Sequence, residues 1–174
     1  MTRDAGLKFC PRCASGLVWR PAGDTAEVAE HPTCSNCGFV LWQNPKPTVE
    51  GLIMRNVPSG TEVLLGRLAS GEGWDLPGNF LNVGDHLEEA LIRECRREMG
   101  IDVNVEGILG AFEDTFLGGP IISLVYVCSI RGGERRPAAP IEDVRWFPLG
   151  DPPKLAFHAV KRAIETLRAQ IASR

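Results

Sequence analysis

The 174-residue sequence predicts an α/β fold, a mixed β-sheet covered by helices on both faces, preceded by a small module of its own. Three observations lead there. Segments rich in β-branched and aliphatic residues alternate, in mixed order, with two stretches of helical periodicity. Two close pairs of cysteines lie near the start, at Cys10/Cys13 and Cys34/Cys37. Between these regions, "QNPKPT" (Gln43 to Thr48) carries two prolines that hold the backbone extended and exclude helix. A chain of this length suffices for one ordinary core and an appended module, not for two full domains. The expected division is 1–46 and 47–174.

The first segment contains "CPRC" and "CSNC", a C-x2-C, twenty-residue, C-x2-C arrangement. Each turn points two thiolates at one tetrahedral centre, and the intervening residues suffice for a hairpin that brings the second pair beside the first. The pattern reads as a zinc ribbon in which Cys10, Cys13, Cys34 and Cys37 hold structural Zn²⁺. Two disulfides or a redox pair are the alternatives. No apolar run approaches the roughly 20 residues of a membrane helix, and "MTRDAGLKFC" has no signal-peptide core. A cytoplasmic setting is therefore expected, where spaced cysteines favour metal over disulfides. Cys95 and Cys128 lie in apolar stretches and read as buried, inert thiols.

Charge disfavours nucleic acid as a partner. The net charge is −3, the pI is 5.7, and polyanion binders need clustered Lys and Arg. Within the ribbon, Arg3, Lys8, Arg12, Arg20 and Lys46 are balanced by Asp4, Asp24, Glu27, Glu30 and the thiolates. Trp19, Phe39 and Trp42 suit either its small core or a contact surface.

Beyond the boundary, "TVEGLIMR" and "EVLLGRL" read as neighbouring strands joined by the turn residues "NVPSG". "GWDLPGNFLNVGD" reads as a glycine-punctuated loop leading into a helix over Leu87 to Met99. In that helix Leu87, Leu91, Cys95 and Met99 recur every four residues beside Ala90, giving a buried stripe, and Gly100 stops it. "NVEGILGAFEDTF", "PIISLVYVCSI" and "DVRWFPL" read as further strands, with "RGGERRPAAP" as a loop. Val160, Ala163, Ile164, Leu167 and Ile171 describe an amphipathic closing helix from about Leu155 to Ile171.

On the first helix Glu94 and Glu98 project about 40° apart, with Arg97 about 60° to the other side of Glu94. Two acids on one face directly after a Gly-rich loop suit Mg²⁺, which commonly takes one or two carboxylates and fills its octahedron with water and phosphate oxygens. A solvated face laced with salt bridges suits the same residues.

From Gly78 onwards, "GNFLNVGDHLEEALIRECRREMGI" resembles the signature of the Nudix hydrolase family, G-x5-E-x7-R-E-U-x-E-E-x-G-U with U aliphatic. Arg93, Glu94, Glu98, Gly100 and Ile101 fall on the pattern, as does Cys95 with a small apolar residue at U. "WDLPG", "NPKP", "VRWFPL", "KLAF" and the four-cysteine segment extend the likeness to the branch that carries a zinc ribbon. That branch resembles ADP-ribose, FAD or NADH pyrophosphatases, although the SQPWPF-type sequence of NADH pyrophosphatases is missing. The resemblance implies an α/β/α sandwich and hydrolysis of a nucleoside diphosphate linked to another group, with Mg²⁺ or Mn²⁺. It places the metal on the Gly78 carbonyl and the Glu94 and Glu98 side chains, makes Glu94 or a more distant acid the acceptor of the water's proton, and has Arg93 orient Glu94. It also implies a nucleotide-type small-molecule substrate and a homodimer.

Three residues depart from the pattern. Asn79 replaces Gly, and tolerates the positive φ that glycine would supply. Asp85 replaces Glu, and with Glu88 it has the spacing of a capping box. Arg97 replaces a central acid with a group that is always charged and offers no lone pair. It favours a rival reading, a catalytically inactive domain that binds a nucleotide or a protein. Substitute carboxylates are sought at Glu113, Asp114, Glu142 and Asp143. His31, His86 and His158 show no ligand spacing, and Trp74, Tyr126, Trp146 and Phe157 are core candidates of which one suits a base.

Overall fold

The computed structural model describes residues 6–21 and 30–173. Its chain divides into two compact units, Met1–Asn44 and Pro45–Arg174. Arg3, Asp4, Asp24 and Glu27, part of the ribbon's charge balance, lie outside the described residues.

In the first unit β1 (Leu17–Pro21) and β2 (Glu30–Cys34) pair antiparallel, with Leu17 opposite Cys34. Each cysteine pair closes a turn of the same design. The Ala14 N–H donates to the Cys10 carbonyl at 2.9 Å, and the Gly38 N–H to the Cys34 carbonyl at 3.1 Å. Ala14 (φ 57°) and Gly38 (φ 71°) are both left-handed there, the conformation that reverses the chain after the second thiol. Trp42 is 55% exposed and packs on His31 at 4.7 Å between ring centres.

The second unit is built on a seven-stranded mixed sheet. In chain order its elements are β3 (Lys46–Val57), β4 (Gly60–Leu68), β5 (Trp74–Asp75), β6 (Gly78–Phe80), α1 (Leu87–Met99), β7 (Ile101–Phe116), β8 (Gly119–Gly133), β9 (Ile141–Pro148) and α2 (His158–Ala172). The sheet runs β5-β4-β3-β8-β7, with β6 against β3 and β9 against β4. β3 and β8 run parallel, with Thr48 opposite Ser123. The remaining pairings are antiparallel.

Side-chain alternation explains the three layers. On β3, Val49 and Ile53 join the cluster under α1 with Leu91, Cys95 and Met99, whereas Leu52 joins the cluster under α2 with Val160, Ala163 and Ile164. β4 repeats the split, Leu64 to one face and Val63 and Leu65 to the other. Both faces of the sheet are thus apolar and covered, the expected α/β/α arrangement.

Gly100 ends α1 at φ 74°, and a Cβ there would overlap the Glu134 carbonyl. Its glycine is needed on both counts. Four details differ from expectation. The predicted loop holds the short strands β5 and β6, because Gly78 to Phe80 pair with Thr48 to Glu50. β8 continues to Gly133, since β7 starts at Ile101 and pairs with it. The closing helix begins at His158; Leu155 instead bridges to Trp74. Leu87 and Ile171, assigned to buried stripes, are each 39% exposed: Leu87 lies in α1's first turn, ahead of the packed face, and Ile171 borders a groove with Ile108 and Ile130.

Candidate functional site

The buried face of α1 carries more than the apolar stripe. It comprises Ala90, Leu91, Glu94, Cys95, Glu98 and Met99, so both glutamates are drawn out of water. Their side chains are 7% and 5% exposed, and buried carboxylates require partners. Arg97 supplies the shortest contact to each. Its Nε donates to Glu94 Oε2 at 2.7 Å, its Nη2 to Glu98 Oε1 at 2.7 Å and its Nη1 to the Ala139 carbonyl at 2.9 Å. The Gly78 N–H donates to Glu98 Oε2 at 3.1 Å, and Asn79 Nδ2 to Glu94 Oε2 at 3.3 Å.

β6 brings this loop to the helix. Gly78 lies opposite Glu50 on β3, and a Cβ on it would overlap the Val49 carbonyl, so only glycine allows that approach. Asn79 is extended, not left-handed: it is a strand residue paired with Val49, and its Oδ1 accepts the Phe80 N–H at 2.7 Å. No capping box forms either. His86 is the N-cap of α1 and makes no side-chain cap bond, while Asp85 accepts from the Asn82 N–H at 2.8 Å and from Arg93 Nη2 at 3.2 Å. The Asn82 N–H, then the Arg93 charge, hold the Asp85 carboxyl below its usual range. Arg93 also reaches Glu94 Oε1 at 3.5 Å, linking Asp85 to the helix.

Gly78, Arg97 and Glu98 line a cavity of about 380 Å³. Glu94 is not in its lining and meets it through Arg97 and Asn79. Sequence reasoning missed the exposed Glu72 here and two less exposed acids, Glu50 and Asp75. Each of the latter two stood as an acid inside an otherwise apolar segment, in "TVEGLIMR" and "WDLPG", and that incongruity was the available signal. Glu50 Oε1 lies 3.1 Å from the Thr48 hydroxyl, itself 3.0 Å from Ser123 Oγ, in the interior of the sheet. Glu50 Oε2 is buried with no partner among the described residues. Asp75 Oδ1 accepts the Leu76 N–H at 2.8 Å.

Burial pushes the Glu50, Asp75 and Glu98 carboxyls up, Glu98 to about 7. The charge of Glu50 adds to the rise at Asp75. Four acids, Glu50, Glu72, Asp75 and Glu98, face one guanidinium, Arg97, in the lining. This excess of hard oxygen donors, one of them an orphaned buried atom, fits one divalent cation of the Mg²⁺ class beside Glu98. It does not fit a second ion between Glu94 and Glu98, where the guanidinium sits.

Of the remaining candidates, Asp114 adds its charge to the rise at Glu50 and Asp75 and Phe157 reaches the cavity. Asp114 Oδ2 accepts the Ala159 N–H at 2.7 Å, capping α2, and Glu113 is exposed. Glu142 pairs with Arg67 and Asp143 with Arg145. His86 and His158 are exposed. Tyr126 is in the core, Trp74 packs edge-on against Phe147 and Trp146 lies under Arg55. Phe157 lines the cavity, together with Phe80 and Phe116. Cys95 and Cys128 are fully buried, and burial pushes the Cys128 thiol up to about 12.

In the first unit the sulfurs of Cys10, Cys13, Cys34 and Cys37 all lie within 4.8 Å of one another. Cys10 and Cys37 are 3.6 Å apart, Cys13 and Cys34 3.5 Å. Four thiolates around zinc at 2.3 Å would stand about 3.8 Å apart, whereas a disulfide needs about 2.05 Å. The donor set fits Zn²⁺. N–H groups of Arg12 and Asn36 approach the sulfurs of Cys10 and Cys13 at 3.4 and 3.7 Å, as expected around thiolates.

The chain is similar to known proteins in sequence and in fold. The ADP-ribose pyrophosphatase of Methanocaldococcus jannaschii is 31% identical over 124 residues, which are 68% of this chain and 71% of that protein. The NAD-capped RNA hydrolase NudC of Stutzerimonas stutzeri is 30% identical over 155 residues, 85% of this chain but 50% of its own length. A crystal structure of a NUDIX hydrolase from Nitrosomonas europaea has the same fold, at a TM-score of 0.74 and 21% identity over 97% of this chain and 92% of that one. The NUDIX domain profile matches residues 46–168. A match of that extent, covering the sheet, both helices' cores and the loop that brings Gly78 to Glu98, places the chain in the NUDIX family.

Proposed function

We propose that the protein is a metal-dependent hydrolase that splits the pyrophosphate of a nucleoside diphosphate linked to another group, of the ADP-ribose, FAD or NADH type. The observation that carries this reading is the convergence of Gly78, Glu98, Glu50 and Asp75 on one cavity with an excess of carboxylate. The two relatives named above act, by their names, on ADP-ribose and NAD-capped RNA. The missing SQPWPF-type sequence favours the former kind of substrate.

In this reading the Gly78 carbonyl and Glu98, joined by Glu94 from outside the cavity lining, hold Mg²⁺ or Mn²⁺. Glu98 Oε2, held by one backbone N–H, and Glu94 Oε1, with only the long Arg93 contact, are the least committed of the helix's carboxylate oxygens. When bound, such an ion polarises phosphate oxygens and lowers the pKa of an attacking water. Glu94 or a neighbouring cavity acid receives the water's proton. Arg93 fixes Glu94 against Asp85. Segment 1–46 acts as a zinc ribbon with a closed four-thiolate site that stabilises folding and leaves no position for chemistry, and 47–174 as the hydrolase domain. A cytoplasmic, reducing setting and a homodimer accompany this reading.

A second reading is favoured by one observation, the guanidinium seated between Glu94 and Glu98: an inactive domain that binds a nucleotide or a protein. AMP release from ADP-ribose, FAD and NADH with Mg²⁺ or Mn²⁺ separates the two. Turnover abolished by Glu98→Gln is the expected result. Silence of the native protein with activity appearing in Arg97→Glu would establish the second reading.

A further inference from the structure

We propose that Arg97 is a resident cation of this site, taking the place of one divalent ion and presenting its free donors to a substrate phosphate. The inference rests on the hydrolase reading for its substrate, and on this chain's own geometry for the rest.

A guanidinium carries five N–H donors. Three are committed: to Glu94 Oε2, to Glu98 Oε1 and to the Ala139 carbonyl. Two, one on each Nη, take no partner among the described residues. The side chain is 43% exposed while the carboxylates that grip it are nearly buried, and it lines the same cavity as Glu98 and Gly78. A surface arginine would be free to move. This one is fixed on three sides, and its planar fork matches the geometry of phosphate oxygens.

The charge arrangement is what a bound cation would produce. Two buried carboxylates on successive turns would repel each other, and a positive group between them removes that repulsion without recruiting an ion from solution. A fixed +1 charge replaces +2, leaving the cavity's other carboxyl groups, which release their protons on binding metal, for a single divalent ion beside Glu98. The ion and the guanidinium would then share the substrate's two phosphates. Lysine at this position would keep the charge but not the fork, and glutamate would restore an acid that can ligate metal.

The test counts ions and measures phosphate binding without requiring turnover. Mn²⁺ binding to the native protein and to Arg97→Glu is followed by electron paramagnetic resonance. Binding of the non-hydrolysable diphosphate α,β-methylene-ADP is followed by calorimetry in the native protein, Arg97→Lys and Arg97→Gln. Expected are one more Mn²⁺ per chain in Arg97→Glu than in the native protein, and a roughly ten- to hundredfold loss of methylene-ADP affinity in Arg97→Gln, the range for a charge-assisted hydrogen bond. The loss in Arg97→Lys should be intermediate. Equal Mn²⁺ counts, or native-like methylene-ADP affinity in Arg97→Gln, would overturn the proposal. Circular dichroism identifies any variant that fails to fold; the ion count of Arg97→Glu and the affinity of Arg97→Lys then decide. A native protein that binds as expected yet releases no AMP would sink the hydrolase reading and leave this inference standing.

Discussion

Lowering the pH should strip the metal from this site well before an ordinary glutamate would protonate. Glu98 is held at about 7 by burial, so at pH 5 only about 1% of it is ionised, against about 80% for an unperturbed glutamate. Metal must displace that proton, so the Mn²⁺ affinity of the native protein should fall about 100-fold from pH 8 to pH 5. Stability should change the other way without metal. The folded protein's Glu98 binds its proton more tightly than the unfolded chain's, so its contribution is full below about pH 4.5 and lost as pH rises through 7, up to roughly 3 kcal/mol. Mn²⁺ titrations and urea melts at pH 5, 6, 7 and 8 measure both trends. In Glu98→Gln binding should be weak throughout and lose most of its pH dependence, with a shallower stability slope remaining from Glu50 and Asp75, which are raised by burial as well. A native Mn²⁺ affinity that varies less than threefold across this range would refute the reasoning.

Three other outcomes are expected. Cys34→Ser should abolish zinc retention by the first unit, measured by atomic absorption on the full chain, while near-ultraviolet circular dichroism of the second unit's buried aromatics persists. Gly100→Ala, at φ 74° and against the Glu134 carbonyl, should cost more than the roughly 1 kcal/mol of a left-handed alanine, and a melting temperature unchanged within a degree would contradict it. Asp114→Ala removes the acceptor for the Ala159 N–H and should cost about 1 kcal/mol, or about 3 °C in Tm.

Much of this was legible because local chemistry is strict. The span of α1 and its stop at Gly100 follow from periodicity and from the one residue that turns left-handed at little cost. The four cysteines meet because two identical turns sit at the ends of a hairpin. Other details depended on partners distant in the chain. A strand residue at Asn79, where a left-handed turn was expected, follows from pairing with Val49. Asp85 has the spacing of a cap, yet the Asn82 turn and Arg93 claim its oxygens. Leu87 fits an apolar repeat that the packed face does not reach.

By itself the sequence determined the α/β class, the thiol cluster and the spacing that sets Glu94 and Glu98 one turn apart. Those are short-range consequences of backbone sterics and side-chain period. Only the tertiary structure decided what the acids face. It folds Glu50 and Asp75 from two other segments onto the cavity of Glu98, and it seats Arg97 between two carboxylates that helix geometry alone would have left to solvent. Burial made that difference: once the α1 face packs on the sheet, unpaired charge is too costly to keep, and a guanidinium within reach becomes part of the site.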